Sequence, residues 1–259
     1  MIVVDSITHL RPEHAGGVAV CGSHGGLFAA TVASRAGLRA VVLSDAGVGL
    51  DGAGVAGILA LADMGMAAAG IDARRARIGS GEAAAEGPVG IVNAVAEALG
   101  VRPGMTGAEA AALMARAPLP RAMLPEMAEA RRAVTLMTGL VVQLLDSASL
   151  AGPADDGAVL VTGSHGARLA GGAPVLKARA RLAVFHDAGG GPGDAGHSRL
   201  PALEAAGIGG ATVRHDTARI GEAASLLGTG VIARANAQAT AMGLRPGARL
   251  RDALEGMTP

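Results

Sequence analysis

Apolar residues fall into short continuous runs over 17–21, 39–43 and 66–71, each bounded by glycine or polar residues. Such runs mark strands buried on both faces. Between and after them, 27–36, 53–64 and 88–99 are helical in composition, and each ends at a glycine (Gly37, Gly65, Gly100) able to take the left-handed turn that closes a helix. Pro88 stands in the first turn of the third, where a missing N–H costs nothing. A fourth short helix is predicted over 108–115 with Thr106 as its cap. Residues 2–4 and 142–145 can each add a strand. Strands spaced by helix-length segments imply parallel β-α-β crossovers and a layered α/β fold.

The pattern occurs twice. Val18-Ala19-Val20-Cys21-Gly22-Ser23-His24-Gly25 returns 141 residues later as Val159-Leu160-Val161-Thr162-Gly163-Ser164-His165-Gly166. Asp5-Ser6-Ile7-Thr8 is answered by Asp146-Ser147-Ala148-Ser149, and Asp45-Ala46-Gly47 by Asp187-Ala188-Gly189. Ala76-Arg77-Ile78-Gly79 returns as Ala218-Arg219-Ile220-Gly221, Asn93 as Asn236, and Arg102-Pro103-Gly104 as Arg245-Pro246-Gly247. The offset grows from 141 to 143 along the chain, the one-residue slips that loops accumulate. The sequence therefore predicts a tandem internal duplication of a β-α-β-α-β-α unit with mainly parallel strands. The two pseudo-symmetric halves are residues 1–116 and 142–259, joined by a connector over 117–141 that is proline-punctuated and then helix-prone.

Composition narrows the chemistry. In 259 residues, 22 basic side chains balance 22 acidic ones, leaving no electrostatic case for nucleic acid or an anionic membrane surface. Trp and Tyr are absent and Phe28 and Phe185 stand alone, which nearly excludes stacking platforms. Cys21 is the single cysteine, so neither an intrachain disulfide nor a cysteine-rich zinc site can form. Lys177 is the single lysine, and its neighbours resemble neither a phosphate loop nor a Schiff-base site, so it reads as a solvated surface residue. No apolar run reaches the roughly 18 residues of a membrane span and no secretory leader pattern opens the chain, so a soluble, cytoplasmic protein is expected. Half the residues are hydrophobic and only 17% charged, a balance that suits a homo-oligomer.

The duplicated polar residues fall at predicted strand ends, where parallel α/β sheets bind ligands. Gly22, Gly25, Gly163 and Gly166 let the backbone turn sharply, while Ser23 and Ser164 add hydroxyls. His24 and His165 add imidazoles able to move protons. The plainer alternative is that serine caps a helix and histidine bonds a carbonyl. Asp45 and Asp187 can act as base or orient a histidine, or can cap the turns through Gly47 and Gly189. The second copy is richer: His186 precedes Asp187 where Ser44 precedes Asp45, and His197, His215 and Asp216 occur only there. Arg77 and Arg219 can clamp a carboxylate, or pair with Asp5 and Asp146 or with Asp45 and Asp187. Asn93 and Asn236 read as helical residues packed against a loop. No histidine or aspartate stands at a recognisable metal-ligand spacing, so no metal ligand is assigned.

Two motifs compete with this reading. Gly47-Val48-Gly49-Leu50-Asp51-Gly52 fits G-x-G-x-x-G with Asp72 20 residues further on, which resembles the dinucleotide-binding fingerprint and would imply NAD or NADP. Against it, Ser44-Asp45-Ala46 intervenes after the strand, and the second copy has Asp194 for the third glycine. Cys21 with its counterpart Thr162, across two α/β halves, is similar in plan to the aspartate/glutamate racemase superfamily. The Cys-Asn-Thr signature of that family is replaced by Cys21-Gly22-Ser23 and Thr162-Gly163-Ser164. No family is assigned from it.

The sequence thus predicts an enzyme acting on a small polar metabolite with a carboxylate or carbonyl, held between two repeats and worked on by histidine and aspartate. Hydrolysis of an amide-like or lactone-like bond is the first reaction class, isomerisation or racemisation the second. A non-catalytic ligand-binding or assembly protein and a nicotinamide-dependent oxidoreductase are the alternatives. No resident cofactor is expected; a divalent metal or NAD(P) is the exception allowed for.

Overall fold

The computed structural model, which describes residues 1–170 and 174–257, arranges its strands in two sheets. The first contains β1 (Ile2–Val4), β2 (Val18–His24), β3 (Ala40–Ser44), β4 (Ala67–Ile71) and β5 (Val89–Val92), side by side in chain order. The second contains β6 (Arg131–Thr135), β7 (Val141–Leu145), β8 (Val159–His165), β9 (Leu182–His186), β10 (Gly209–Val213) and β11 (Ile232–Ala235), again in chain order. β1 to β4 pair in parallel and β5 returns antiparallel. β7 to β10 are likewise parallel, with β6 and β11 antiparallel at the two edges. Both sheets are therefore mixed and mostly parallel, an α/β fold.

Helices cover both faces, as the unbroken apolar runs demand. Along β2 the alternation is direct. Val18 and Val20 pack in one cluster with residues of α3 (Gly81–Glu86), α4 (Ala94–Ala98) and α5 (Gly107–Met114). Ala19 and Cys21 face the opposite cluster, with α1 (Leu27–Arg35) and α2 (Ala56–Ala60). In the second sheet, Val159 and Val161 pack towards α7 (Ala223–Thr229), α8 (Ala237–Ala241) and α9 (Leu250–Glu255), while Leu160 and Phe185 pack towards α6 (Leu200–Ala205). Ala46, Ile78, Ala167, Ala188 and Ile220 form a small separate core that joins the two sheets' loops.

Several expectations are corrected. The predicted helix over 88–99 divides into β5 and α4, because Asn93 caps α4 with its side chain on the Ala96 N–H. The predicted helix over 53–64 shrinks to α2, with glycine on both sides of the turn that precedes it. Ser80 caps α3, which the pattern missed. Within the connector, no helix forms over 117–130 and β6 takes 131–135, a largely exposed edge strand paired antiparallel with β7. The helix over 107–114 does form, closed by a capping box of Thr106 and Glu109.

Candidate active site

β2 and β8 carry their Gly-Ser-His segments inside the strand rather than beyond it, with a register break against β3 and β9 before the histidine. The break follows from the neighbours of Gly22 and Gly163. A β-carbon on Gly22 would stand 2.4 Å from the Ser80 nitrogen, and one on Gly163 would stand 2.6 Å from a Gly221 backbone carbon. The Gly79 N–H donates to the Gly22 carbonyl and the Gly221 N–H to the Gly163 carbonyl, both at 2.8 Å. Loops after β4 and β10 thus replace the ladder there, and the two histidines are turned across to the loops of the opposite sheet. A β-carbon on Gly79 would lie 3.3 Å from His165 Cε1, and one on Gly221 would lie 3.7 Å from His24 Cε1.

His24 and His165, with Ser23 and Ser164, therefore line one cavity of about 300 Å³ between the two sheets. Its remaining wall comes from the loops after β1 and β7, from Phe28 and Glu129, and from Arg199 and Lys177. Ser23 Oγ accepts the Ile7 N–H and Ser164 Oγ the Ala148 N–H, both at 2.9 Å, so each serine fastens the loop that forms this wall and keeps its own O–H to donate. Hydroxyl pairs brace those loops, Ser6 to Thr8 at 2.8 Å and Ser147 to Ser149 at 2.9 Å.

The imidazoles differ in their bonding. His24 Nδ1 accepts the Gly26 N–H at 3.1 Å, which places its ring hydrogen on Nε2. His165 is 8% exposed and its Nδ1 has no hydrogen-bond partner among the described residues. Burial, helped by His186, lowers His24 to about 4. Burial, then the Arg199 charge, lowers His165 to about 3. Both rings are neutral at pH 7. Burial raises the Glu129 carboxyl above its ordinary range, against the bond from Ser147.

No family model, curated protein or solved structure matches the chain.

Other residues singled out in the sequence lie elsewhere. Asp45 Oδ1 accepts the Gly47 and Ala73 N–H groups, and Asp187 Oδ1 those of Gly189 and His215. These aspartates hold turns that abut each other: a β-carbon on Gly47 would stand 2.8 Å from Gly189 Cα. Neither lines the cavity. His186 is wholly buried, with Nε2 on the Ala218 carbonyl and Nδ1 accepting the Ala188 N–H, so both ring nitrogens are occupied. His197 Nδ1 meets Thr212 Oγ1 at 2.8 Å, and His215 Nδ1 meets Asp187 at 3.1 Å. Gly25 and Gly166 are sites of close approach, to Ile58 and to the Gly196 carbonyl respectively.

Arg77 donates to the Arg168 carbonyl at 2.9 Å and Arg219 to Asp51 at 2.6 Å, each bridging the two sheets' loops from an exposed position. Asp5 and Asp146 bond the Gly81 and Ala223 N–H groups instead of these arginines. The G-x-G-x-x-G segment packs on the loop after β10, with the Leu50 N–H on the His215 carbonyl at 2.8 Å. No group of three or more His, Cys, Asp or Glu that could hold a metal occurs among the described residues, nor does a helix long and apolar enough to cross a membrane.

Arg199 was not legible as a site residue. Its N–H donates to the Gly166 carbonyl at 2.9 Å just as the Gly57 N–H donates to Gly25 at 3.0 Å, so an arginine and a glycine hold corresponding places. A comparison of repeated motifs passes over such a position, and its signal is the difference itself.

Proposed function

We propose that the chain is a tandem duplication whose halves enclose an active site for a small polar metabolite bearing a carboxylate or carbonyl. The observation that carries this reading is the pair of Gly-Ser-His strand ends on one cavity. Its volume of about 300 Å³ suits a small metabolite. Repeated motifs in matching strands support the duplication.

The bonding of the two rings suggests distinct roles. The Nε2–H of His24, oriented by the Gly26 N–H, is a neutral donor suited to polarising a carbonyl oxygen. His165, whose Nδ1 has no partner among the described residues, is the proton carrier, made basic enough for it when a substrate carboxylate offsets the Arg199 charge that helps lower it. In hydrolysis, water oxygen adds to the carbonyl carbon as His165 takes its proton. The same proton then passes to the nitrogen or oxygen that departs as the old bond breaks. Isomerisation is the second reading, favoured by the near-symmetric placing of the two rings: His165 takes a proton from carbon beside the carbonyl and returns it elsewhere. The aspartates have no place in either scheme, since both are spent on turns. No cofactor is invoked.

A panel of lactones, cyclic amides and hydroxy acids, run in D₂O, tests this. Deuterium at carbon marks isomerisation, and its absence with ring opening marks hydrolysis. His165→Ala is expected to lower turnover by roughly a hundredfold or more without loss of fold. Unchanged turnover in that variant sinks the reading.

A further inference from the structure

We propose that the Arg199 corner of the cavity is a carboxylate-binding subsite, so that the ligand of this site is a small organic anion. The inference deepens the function proposed above by fixing the charge of its substrate, but it stands on binding alone.

Arg199 is 9% exposed and no carboxylate oxygen lies within 4 Å of it among the described residues, although Glu129 lines the same cavity; the charged group nearest in influence is Arg168, of the same sign. A buried, uncompensated guanidinium is costly, and an anion supplied from outside relieves the cost. Its plane is fixed by stacking on Phe185, 4.6 Å from the ring centre. One Nη donates to the Val175 carbonyl at 3.2 Å and the other to the Ala167 carbonyl at 3.1 Å. Nε has no partner. The guanidinium thus keeps its Nε–H and one N–H on each Nη, donors that the two oxygens of a carboxylate can accept. His165, whose Nδ1 is equally buried and has no partner among the described residues, lines the same cavity. Two unsatisfied, nine-tenths-buried polar groups in one wall are what a missing ligand leaves.

The asymmetry between the sheets gives this corner its room. Opposite, α1 packs against Gly57, where a β-carbon would meet the Gly26 carbonyl at 2.4 Å and Ala30 at 2.5 Å. Among the described residues no helix stands between β8 and β9, and Arg199, whose N–H bonds Gly166 as that of Gly57 bonds Gly25, sends its side chain to the Ala167 carbonyl. One half is closed by a helix and the other carries the cation. A single guanidinium with two of its N–H groups already engaged matches a carboxylate better than a doubly charged phosphate.

The test is calorimetric titration of the whole chain with acetate, lactate, malonate and inorganic phosphate at fixed ionic strength, with NMR of the histidine ring resonances. A carboxylate is expected to bind and to move the His165 signals. Arg199→Gln should weaken that binding about 10- to 100-fold, the range for a buried bond to a charged group. Arg199→Lys should fall between, since it keeps charge but not the fork. Carboxylates that leave the His165 signals unmoved, or phosphate binding more tightly than every carboxylate, would overturn the proposal. So would equal binding by Arg199→Gln; if that variant fails to fold, the wild-type NMR titration decides alone. Turnover plays no part in this test. Carboxylate binding with full activity in His165→Ala would remove the catalytic reading and leave the subsite standing, and the opposite pair of results would do the reverse.

Discussion

Asn93 is 2% exposed and satisfies backbone groups from three elements. Its Oδ1 accepts the Ala68 and Ala96 N–H groups, and its Nδ2 donates to the Ile58 and Met66 carbonyls. Asn236 repeats the arrangement with Gly210, Ala239, Ile208 and Leu200. One amide thus caps a helix, fixes a strand edge and closes a loop. Asn93→Ala leaves several buried partners unpaired and is expected to cost about 3 kcal/mol or more in urea unfolding. At the same scale, a single difference separates the two turn-holding aspartates. Where Ala73 offers Asp45 a backbone N–H, His215 offers Asp187 an N–H and a ring nitrogen as well. Burial raises the Asp45 carboxyl, whereas at Asp187 the same burial is outweighed by His215 and the carboxyl is lowered.

Elements are fitted together through close backbone approach rather than large side chains. Gly22 lets the loop into α3 lie against β2, and Gly163 does the same for the loop into α7. Gly22→Ala must displace the Ser80 backbone, with an expected loss of about 1–3 kcal/mol in denaturant unfolding and disturbance of the neighbouring histidine. Gly100 gives the contrast: its φ is +93° with open space around it, so Gly100→Ala should cost only about 1–2 kcal/mol, from backbone conformation alone. A Gly22 variant retaining both full stability and the native His24 ring signals would refute the close-packing account. Strand β5 is the element hardest to see beforehand. Four residues beside a helix of similar composition read as its first turn, and only the Asn93 cap separates them.

For the molecule as a whole, neutral buried histidines set a pH response. His24, His165 and His186 titrate at about 4, about 3 and about 4 in the folded chain, all lowered first by burial. Unfolded histidines titrate near 6.5, so between about pH 4 and 6.5 the unfolded chain binds more protons and stability rises with pH. Acidification through that window should lower stability by up to about 1.4 kcal/mol per pH unit for each such histidine. Thermal unfolding from pH 4 to 8 checks this; a flat profile below 6.5 would contradict the burial of these rings. His215 acts in the opposite sense. Its bond to Asp187 raises it, so its contribution is complete below about 6.5 and is lost as pH rises through the raised folded value. His215→Ala should therefore flatten the alkaline side of the profile and leave the acid slope in place.

Apolar runs, terminal glycines and the repeat of Gly-Ser-His and Asp-Ala-Gly carry the α/β class, most strands of both sheets and the two histidines of the cavity in the sequence itself. These are local signals: burial of a strand writes itself into consecutive residues, and a sharp approach writes itself as glycine. Tertiary structure decided which repeated residues meet. Asp45, Asp187, Arg77 and Arg219, which stand in repeated motifs, turn out to hold turns or bridge loops. Arg199 bonds Gly166 as Gly57 bonds Gly25, and only the tertiary structure, in which no helix stands between β8 and β9 among the described residues, turns that difference into a buried cation beside His165. A contact between residues far apart in the chain depends on how the sheets face each other, and neither periodicity nor composition along one segment contains that relation.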